Sequence, residues 1–315
     1  MAPMPASSAV GRIPTLADYE SIVRRRPRDG SVAPLVSVVT VVKNGAATLQ
    51  HTIYSVQAQE GLSVEHVVVD GASNDGSIDL IRSLLRPQDY WLSEPDLGIS
   101  DAFNKGIALA RGHYVQILNS DDWLSPGQLA IGAARLATGG ADFVFGDCLA
   151  YEDSRRVFRY RGDPNYAAKI DRRMHAMNHP SMLVRRGAYV DHGLFSLKYR
   201  NAMDYEWLLR VHRSGARGAY DPRIVTNFSL GGVTFRAYSR TLREVRDISV
   251  AYGRSPVAAV LECSYHLSKA VVARRVKQYA RPVYDRIRTR INPSFEPLGP
   301  AQGAEGGTIR PRAAE

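Results

Sequence analysis

Apolar and polar residues follow two different periods along the first half of the chain. Short, nearly continuous runs of β-branched residues at 36–42 (VSVVTVV) and 65–70 (EHVVVD) flank a segment in which Leu49, Ile53 and Val56 share one helical face. Continuous apolar runs are typical of parallel strands that helices cover on both faces. The pattern therefore predicts a β-α-β unit at this point of the chain.

The same alternation continues as far as position 147. The expected elements are a helix from 77 to about 85, a strand at 89–94, a helix at 100–112, a strand at 113–119, a helix from 127 to about 138 and a strand at 142–147. Ser100 is the expected N-cap of its helix. Five strands separated by helices predict an α/β fold with a mostly parallel central sheet flanked by helices.

The second half of the chain is less regular. Residues 151–180 predict loops or antiparallel strands, residues 181–195 a strand followed by a short helix, and Met203–Arg213 a helix, since its apolar residues recur at helical spacing. C-terminal helices are expected at 241–260 and 261–291.

Changes of composition divide the chain into four parts. They are a flexible N-terminal lead-in at 1–33, a main domain at 34–232, basic C-terminal helices at 233–292 and a disordered tail at 293–315. The expected architecture is therefore one α/β domain with a helical extension.

Positive charge is concentrated at the C-terminal end. The formal net charge is +10, and residues 233–315 carry 15 Lys and Arg against 7 Asp and Glu. Such an excess fits an anionic membrane surface, nucleic acid or simply solvent. The sequence contains no RNP, zinc-finger or arginine-fork motif, so we expect no nucleic-acid partner.

Several classes of protein are disfavoured by the motifs that the sequence lacks. Cys148 and Cys263 are the two cysteines, and neither lies in a metal-binding or disulfide pattern. No glycine-rich dinucleotide fingerprint or P-loop follows any expected strand. The N-terminus lacks the apolar run of a secretion signal, and no segment has the apolar length of a spanning helix. We expect a cytoplasmic protein, with the inner face of the cell membrane as an alternative location.

Acidic residues follow two of the expected parallel strands. Asp121 and Asp122 come after the strand at 113–119, and Asp70 ends the strand at 65–70. Ligands of open α/β sheets bind outside the carboxyl ends of the strands, and Mg²⁺ is usually held by one or two carboxylates plus phosphates. Asp121 and Asp122 therefore fit a metal-diphosphate site, and Asp70 fits a nucleobase or ribose. The alternatives are an N-cap turn at Asp121-Asp122 and a tight strand-to-helix turn after Asp70.

Taken together, four stretches resemble the inverting glycosyltransferases of family two, which have the GT-A fold. They are VSVVTVVKNGAATLQHTIYSVQAQ (36–59), HVVVDGASNDGSIDLI (66–81), DLGISDAFNKGIALARGHYVQILNSDDWL (96–124) and YRNAMDYEWLLRVHRSG (199–215). The chain departs from many members at Asn119, where they carry Asp, and at Met203, where they carry Glu. Both departures leave Asp121, Asp122 and Asp204 intact.

The resemblance implies a function and a set of site residues. The enzyme would transfer a sugar from a nucleotide-diphosphate-sugar donor to a saccharide or lipid-linked acceptor, in cell-surface polysaccharide or glycolipid synthesis. The implied donor-binding residues are Thr40, Val42, Asn44, Asp70, Ser73, Asp101 and Asp121. Asp121 and Asp122 would hold a divalent metal, Mg²⁺ or Mn²⁺, and Asp204 would be the catalytic base, although an N-cap role is the alternative for Asp204.

The chemistry explains why a carboxylate is needed on each side of the reacting sugar. An acceptor hydroxyl is a poor nucleophile near neutral pH, so a base must take its proton as it attacks the anomeric carbon. The nucleoside diphosphate leaves from the opposite face, where a metal stabilises its charge. Two alternatives remain, a sugar-nucleotide nucleotidyltransferase and a nucleotide-sugar-binding protein without catalysis.

The basic end also predicts a partner. Between Lys269 and Ile291 apolar residues recur at helical spacing among basic ones, which indicates a basic amphipathic helix bent at Pro282. Such a helix can lie on an anionic membrane, close to a lipid-linked acceptor. The alternative is a helix packed on the core with a solvated basic side.

Overall fold

The computed structural model describes residues 10–27, 32–152, 155–171, 177–230, 238–279 and 295–297. Its helices are α1 (Glu20–Val23), α2 (Ala46–Gln57), α3 (Ser77–Leu84), α4 (Ile99–Leu109), α5 (Gln128–Ala137), α6 (Arg186–His192), α7 (Met203–Arg213), α8 (Tyr238–Ala251) and α9 (Pro256–Tyr279). Short 3-10 turns lie at Leu16–Tyr19, Tyr166–Ala168 and His179–Ser181. The strands are β1 (Val36–Val42), β2 (Val64–Asp70), β3 (Tyr90–Ser93), β4 (Tyr114–Asn119), β5 (Trp123–Leu124), β6 (Phe143–Glu152), β7 (Arg155–Tyr160), β8 (Leu183–Arg185), β9 (Gly218–Ser229) and β10 (Phe295–Pro297).

One half of the sheet is parallel, as the alternation of strands and helices predicts. Its strands lie in the order β3-β2-β1-β4. In the register of these strands Val42 pairs with Asp70, and Val41 pairs with Asn119. The carboxyl ends of β1, β2 and β4 therefore meet at one edge of the sheet.

The other half makes the sheet mixed. Strand β8 is antiparallel to both β4 and β6, so β6 runs in the same direction as β4. Strand β7 is antiparallel to β6, and β9 is parallel to it. The sequence did not indicate β9, because Gly218–Ser229 has no sustained apolar alternation and contains Pro222. This strand brings Ser229 back to the region of β5.

Helices cover both faces of the parallel half, which explains why its strands are apolar throughout. Every residue of β1 is buried. On one face Val39 and Val41 pack in the same cluster as Phe103 of α4. On the other face Val38 packs with Val56 of α2, and neighbouring clusters extend this layer. The first β-α-β unit is therefore buried on both sides, as expected.

The N-terminal segment differs from the flexible lead-in that its composition predicts. Within residues 10–27, Tyr19 is 6% exposed and belongs to the main apolar cluster. The Tyr19 hydroxyl donates to Asp101 Oδ1 at 2.9 Å, and Arg26 pairs with Glu65 at 2.5 Å. The segment is too short to show a helical period in the sequence, yet it packs on the domain. Residues 1–9 and 28–31 lie outside the described residues.

The C-terminal helices begin and end at positions other than those expected. The helix predicted at 241–260 ends at Ala251, and the next one begins at Pro256. Gly253 has a φ of +88°, a left-handed conformation that commonly ends helices, and proline suits a first helical turn. The bend expected at Pro282 falls outside the described residues, and so does the tail expected at 293–315, except for Phe295–Pro297, which forms β10 antiparallel to β7. None of the helices that the structure describes has the length and apolar character to span a bilayer.

Candidate functional site

The loops that follow β1 and β2 contain unusual backbone conformations. Asn44 has a φ of 53° and Ala72 a φ of 60°, and no other described non-glycine residue has a positive φ. Asparagine tolerates the left-handed region, whereas alanine is there at a cost of about 1–2 kcal/mol. Such strain persists where the surroundings impose it, which often occurs at ligand sites.

Hydrogen bonds join these two loops around Asp70. Asp70 Oδ2 accepts from the Ser73 backbone N–H at 3.0 Å and from the Ser93 hydroxyl at 2.7 Å. Ser73 Oγ in turn accepts from the backbone N–H of Asn44 at 2.8 Å. Asp70 is completely buried, and its Oδ1 has no hydrogen-bond partner among the described residues. A buried acceptor without a partner is costly, so this oxygen fits a ligand that donates a hydrogen bond.

Asp121 and Asp122 follow β4 and differ in their surroundings. Asp122 is 3% exposed; its Oδ2 accepts from Asn119 Nδ2 at 2.9 Å and its Oδ1 from the Ser229 backbone N–H at 3.2 Å. Asp121 is half-buried, and no other residue in the described ranges donates to its carboxylate. Burial raises the pKa of both carboxyls, and for Asp122 the charge of Asp121 adds to the effect. A cation beside the pair would relieve the repulsion.

Close backbone contacts bring the separate loops together. A Cβ on Gly45 would lie 2.7 Å from Val42 Cγ2 and 3.1 Å from Ser120 Oγ, so the loop after β1 packs against the loop after β4. A Cβ on Gly71 would collide with the carboxylate of Asp96. A side chain at either position would have to displace these side-chain atoms. The segments after β1, β2, β3 and β4 thus form one contiguous surface.

The acidic pair can be tested as a metal site by its donor set. Among the residues that the structure describes, no group of three or more His, Cys, Asp and Glu side chains could hold a metal. Asp121 and Asp122 offer two carboxylates, of which Asp121 is open. Mg²⁺ is often held by one or two carboxylates together with substrate phosphates and water. The pair therefore fits a divalent cation that arrives with a phosphate ligand.

Three of the donor residues implied by the resemblance are engaged inside the protein. Thr40 is fully buried, and its hydroxyl lies 2.8 Å from His66 Nε2. Val42 packs its side chain in an apolar cluster, while its carbonyl accepts from Gly71 N–H at 2.8 Å. Asp101 Oδ2 accepts from Leu97 N–H at 3.1 Å. These contacts hold the loops, whereas Asn44, Asp70, Ser73 and Asp121 line them.

Asp204 lies in the first turn of α7 and is not its N-cap. The N-cap is Ala202, and the Asp204 carboxylate accepts from the Tyr205 N–H at 2.8 Å. The segment before α7 is fixed to α4, because the Ser100 hydroxyl donates to the Tyr199 carbonyl at 2.8 Å. Ser100 lies inside α4, whose N-cap is Gly98, so it is not the N-cap that the sequence predicts. Its hydroxyl instead joins α4 to the segment before α7.

His179 interacts electrostatically with Asp204 from a turn beside β4. Gln116 Nε2 of β4 donates to the carbonyl of Pro180 at 2.6 Å, so the turn that contains His179 runs beside β4. Burial lowers the pKa of His179, and the charge of Asp204 acts in the opposite direction. The charge of Asp204 therefore reaches a side chain in a turn beside β4.

Several residues of this surface were not indicated by the sequence. Ser229 reaches Asp122 from β9, and the contact spans 107 positions. Lys43 and Asp96 both lie against Gly71, and Lys43 is exposed. The lysine followed a predicted strand, so its place at the edge could have been noticed, whereas Ser229 required knowledge of β9.

Comparison with known proteins finds one matching family model and several similar glycosyltransferases. Residues 37–192 match the model of Glycosyl transferase family 2. An uncharacterized glycosyltransferase of Mycobacterium tuberculosis is 43% identical over 94 residues, which cover 30% of this chain and 36% of that protein. A PGL/p-HBAD biosynthesis glycosyltransferase of the same species is 28% identical over 259 residues, which cover 79% of this chain and 98% of that protein. The chain spans about a third of the first two relatives, at 34% and 36% of their lengths.

Solved structures share the architecture. The mannosyltransferase PcManGT from Pyrobaculum calidifontis, in complex with GDP-Man and Mn²⁺, has a TM-score of 0.53 at 17% identity, and the match covers 89% of each chain. S. aureus TarS in complex with UDP-GlcNAc has a TM-score of 0.53 at 17% identity, covering 78% of this chain and 74% of that one. At these identities the likeness concerns the fold.

Proposed function

The chain is a glycosyltransferase of family 2 with the GT-A fold, and we propose that it is a metal-dependent, inverting enzyme. It takes a sugar from a nucleotide-diphosphate donor and transfers it to a saccharide or lipid-linked acceptor. The observation that carries the proposal is the sheet edge at which β2 and β4 end, one on each side of β1. Buried Asp70 ends β2 and has an oxygen without a described partner, and Asp121, whose carboxylate is open, follows β4.

In the proposed complex the nucleoside lies over the loops after β1 and β2. Asp70 Oδ1 accepts a hydrogen bond from the base or ribose, and Asn44 and Ser73 hold the loops that border it. Asp101 holds the turn at Leu97, and Thr40 joins β1 to β2 through His66, so both act beneath the nucleoside. In this proposal the diphosphate extends from the nucleoside towards Asp121.

Asp121 and Asp122 have different proposed roles at the diphosphate. Asp121 is the direct ligand, because its carboxylate is open, and Asp122 holds the loop through Asn119 and Ser229 while adding negative charge. When bound, Mg²⁺ or Mn²⁺ supplies Lewis-acid stabilisation of the charge on the leaving diphosphate. The complex of PcManGT with GDP-Man and Mn²⁺ supports a metal of this kind.

Asp204 is the proposed general base. The proposal is supported by its place in the first turn of α7, an element separate from the donor loops, and by its electrostatic interaction with His179 beside β4. It takes the proton of the acceptor hydroxyl as the oxygen attacks the anomeric carbon and the diphosphate leaves. General base catalysis contributes about 10² to 10⁴ fold, and direct displacement inverts the anomeric configuration.

A panel of UDP-, GDP- and dTDP-sugars, each with and without Mn²⁺, tests the donor site by thermal unfolding. A donor that binds the native state raises the midpoint, since ligand at about 100 times its Kd stabilises by about 2.7 kcal/mol. We expect one nucleotide to act, and only with the metal. Absence of any shift from all three classes would contradict the proposal, and so would a retained anomer in the product, read by NMR.

We further propose that α9 lies on an anionic membrane surface near a lipid-linked acceptor. The helix turns Ala259 and Cys263 inwards but leaves large apolar side chains on one face in solvent. They are Val257 (70% exposed), Leu261 (65%), Tyr265 (61%), Val272 (60%) and Tyr279 (81%). Lys269 and Arg275 are exposed on the same helix, in a region with an excess of basic residues. An apolar stripe bordered by positive charge complements anionic lipid.

Flotation with vesicles that contain or lack an acidic phospholipid tests this surface in the full chain. We expect binding to the acidic vesicles and its loss in a Leu261→Glu, Tyr265→Glu variant. The control is Val190→Glu, at a 55% exposed valine of α6. Equal binding by the α9 variant, or self-association of the wild type that the same two changes abolish, would remove the membrane proposal.

A further inference from the structure

A carboxylate from the C-terminal helices binds the backbone immediately before α7. Glu244 of α8 accepts from three successive N–H groups, those of Arg200 at 3.2 Å, Asn201 at 2.8 Å and Ala202 at 2.9 Å. The Asn201 side-chain amide donates to the same carboxylate at 3.3 Å. A single side chain therefore fixes three consecutive peptide groups.

These contacts fix the backbone at the N-terminal boundary of α7. Its N-cap residue is Ala202, which has no side chain able to accept a hydrogen bond from the first turn. Negative charge at a helix N-terminus is favourable, and hydrogen bonds to a charged acceptor are about twice as strong as neutral ones. Glu244, more than forty positions away in the sequence, thus supplies the anchor for the start of this helix.

The anchored segment lies two residues before Asp204. On its other side Tyr199 is held by Ser100 of α4, at the donor half of the site. Helix α8 is itself fixed to α7, because the hydroxyl of Tyr252, the residue after α8, donates to buried Glu206 Oε1 at 2.7 Å. The turn that carries Asp204 is therefore held between α4 and α8, and Glu244 accepts four hydrogen bonds on the α8 side.

We propose that Glu244 is a positioning residue that orients Asp204 towards the acceptor hydroxyl. The inference rests on the proposed role of Asp204 as the base. It extends the reaction machinery to the C-terminal helices, which lie outside the segment that matches the family model. A base displaced by about 1 Å can cost roughly 10² fold in rate.

Steady-state kinetics of Glu244→Ala and Glu244→Gln test the proposal. We expect Glu244→Ala to lower kcat roughly 10- to 100-fold with little change in the donor KM, because the donor contacts lie on other loops. Glu244→Gln keeps an oxygen acceptor and should recover part of kcat; it also carries the test if the alanine variant does not fold. The matched control is Asp247→Asn on the same helix, whose exposed carboxylate pairs with Arg246. It should behave as the wild type.

A double mutant separates positioning from general stabilisation. If Glu244 acts through Asp204, then Glu244→Ala combined with Asp204→Asn should be no slower than Asp204→Asn alone. Multiplying losses, or a kcat of Glu244→Ala within twofold of the wild type, would overturn the proposal for Glu244. A failure of Asp204→Asn to lower kcat would instead reject the proposed base, and donor binding by the thermal shift reports separately on the rest of the proposed function.

Discussion

Two buried carboxylates of the candidate site differ in how many of their oxygens the protein uses. Both oxygens of Asp122 accept hydrogen bonds from protein groups. Asp70 uses one oxygen for Ser73 and Ser93 and leaves Oδ1 without a described partner. A native structure rarely leaves a buried acceptor unused, so the difference supports the proposal that Asp122 maintains the loop and Asp70 binds a ligand.

Asp70→Asn should weaken donor binding while leaving kcat nearly unchanged. A hydrogen bond to a charged group contributes about 1.5–3 kcal/mol, which is roughly a 10- to 150-fold change in Kd. Titration of the donor, followed by intrinsic fluorescence, measures the loss. Ser93→Ala, which removes a donor to the other oxygen, is the control and should cost much less. Equal affinities for wild type and Asp70→Asn would exclude Asp70 from the donor site.

Asp121→Asn and Asp122→Asn should separate metal binding from stability. Asp121 accepts no described hydrogen bond through its carboxylate, and its charge raises the pKa of Asp122, so its variant should keep or raise its unfolding free energy and lose the Mn²⁺-dependent part of donor stabilisation. In Asp122→Asn an amide opposes the Asn119 amide, which should lower the unfolding free energy by about 1–3 kcal/mol. Urea unfolding with and without Mn²⁺ and donor measures both quantities. If Asp121→Asn lowered the unfolding free energy and Asp122→Asn lost the Mn²⁺-dependent stabilisation, Asp122 would be the metal ligand and Asp121 the residue that holds the loop.

At the scale of elements, the parallel half of the sheet and α7 were predictable because their patterns are local. The β-branched runs gave β1 and β2, and the helical spacing gave Met203–Arg213 with the observed ends. The position of Asp70 and of Asp121 at strand ends follows from those assignments. The sheet edge could therefore be assembled from sequence alone.

Contacts between distant elements could not be predicted in the same way. Ser229 meets Asp122 only because β9 pairs with β5 and β6, and Glu244 meets Ala202 only because α8 packs against α7. Neither residue carries a local motif. The break between α8 and α9 was misplaced because apolar spacing continues across it, while Gly253 decides where the helix ends.

A buried histidine between β1 and β2 should make the free energy of unfolding depend on pH. Burial lowers the pKa of His66, which contacts Thr40 between these strands, from 6.5 to about 4. His66 of the unfolded chain is therefore protonated below about pH 6.5, whereas His66 of the native state is protonated only below about pH 4. Stability attributable to this group falls as the pH decreases through that window, by on the order of 3 kcal/mol in full.

His66→Gln should reduce this dependence. Urea unfolding at about pH 7 and about pH 5 gives the change in unfolding free energy for each protein, and the wild type should lose about 2 kcal/mol more than the variant. His113→Gln, at an exposed histidine, is the control and should follow the wild type. Equal losses for wild type and His66→Gln would show that His66 is charged in the native state.

At the scale of the whole molecule, the segments before and after the family match are part of the same structure. Tyr19, at the N-terminal side, donates to Asp101, and Glu244, at the C-terminal side, binds the start of α7. Charge and composition suggested a flexible lead-in at one end and an appended helical region at the other. Their side chains instead reach two different elements of the candidate site.

The N-terminal segment should therefore contribute measurably to the stability of the whole domain. Arg26 is 8% exposed in its side chain and pairs with Glu65, which is 1% exposed and shared with Arg111. Removing one partner of a buried pair leaves a charge without full compensation, a change that typically costs about 3–5 kcal/mol. Because Arg111 and Ser37 still reach Glu65, we expect Arg26→Met to lower the unfolding free energy by about 2–3 kcal/mol.

Arg24→Met is the matched control for this prediction. Arg24 forms a salt bridge with Glu20 one turn away, but the two side chains are 73% and 63% exposed. Exposed pairs of this kind contribute little to stability, because solvent screens them. Thermal unfolding of the full chain should therefore separate the two variants clearly. If Arg26→Met were as stable as Arg24→Met, residues 10–27 would contribute little to the stability of the domain. The hydrogen bond of Tyr19 to Asp101 would then not hold the donor side of the site in place.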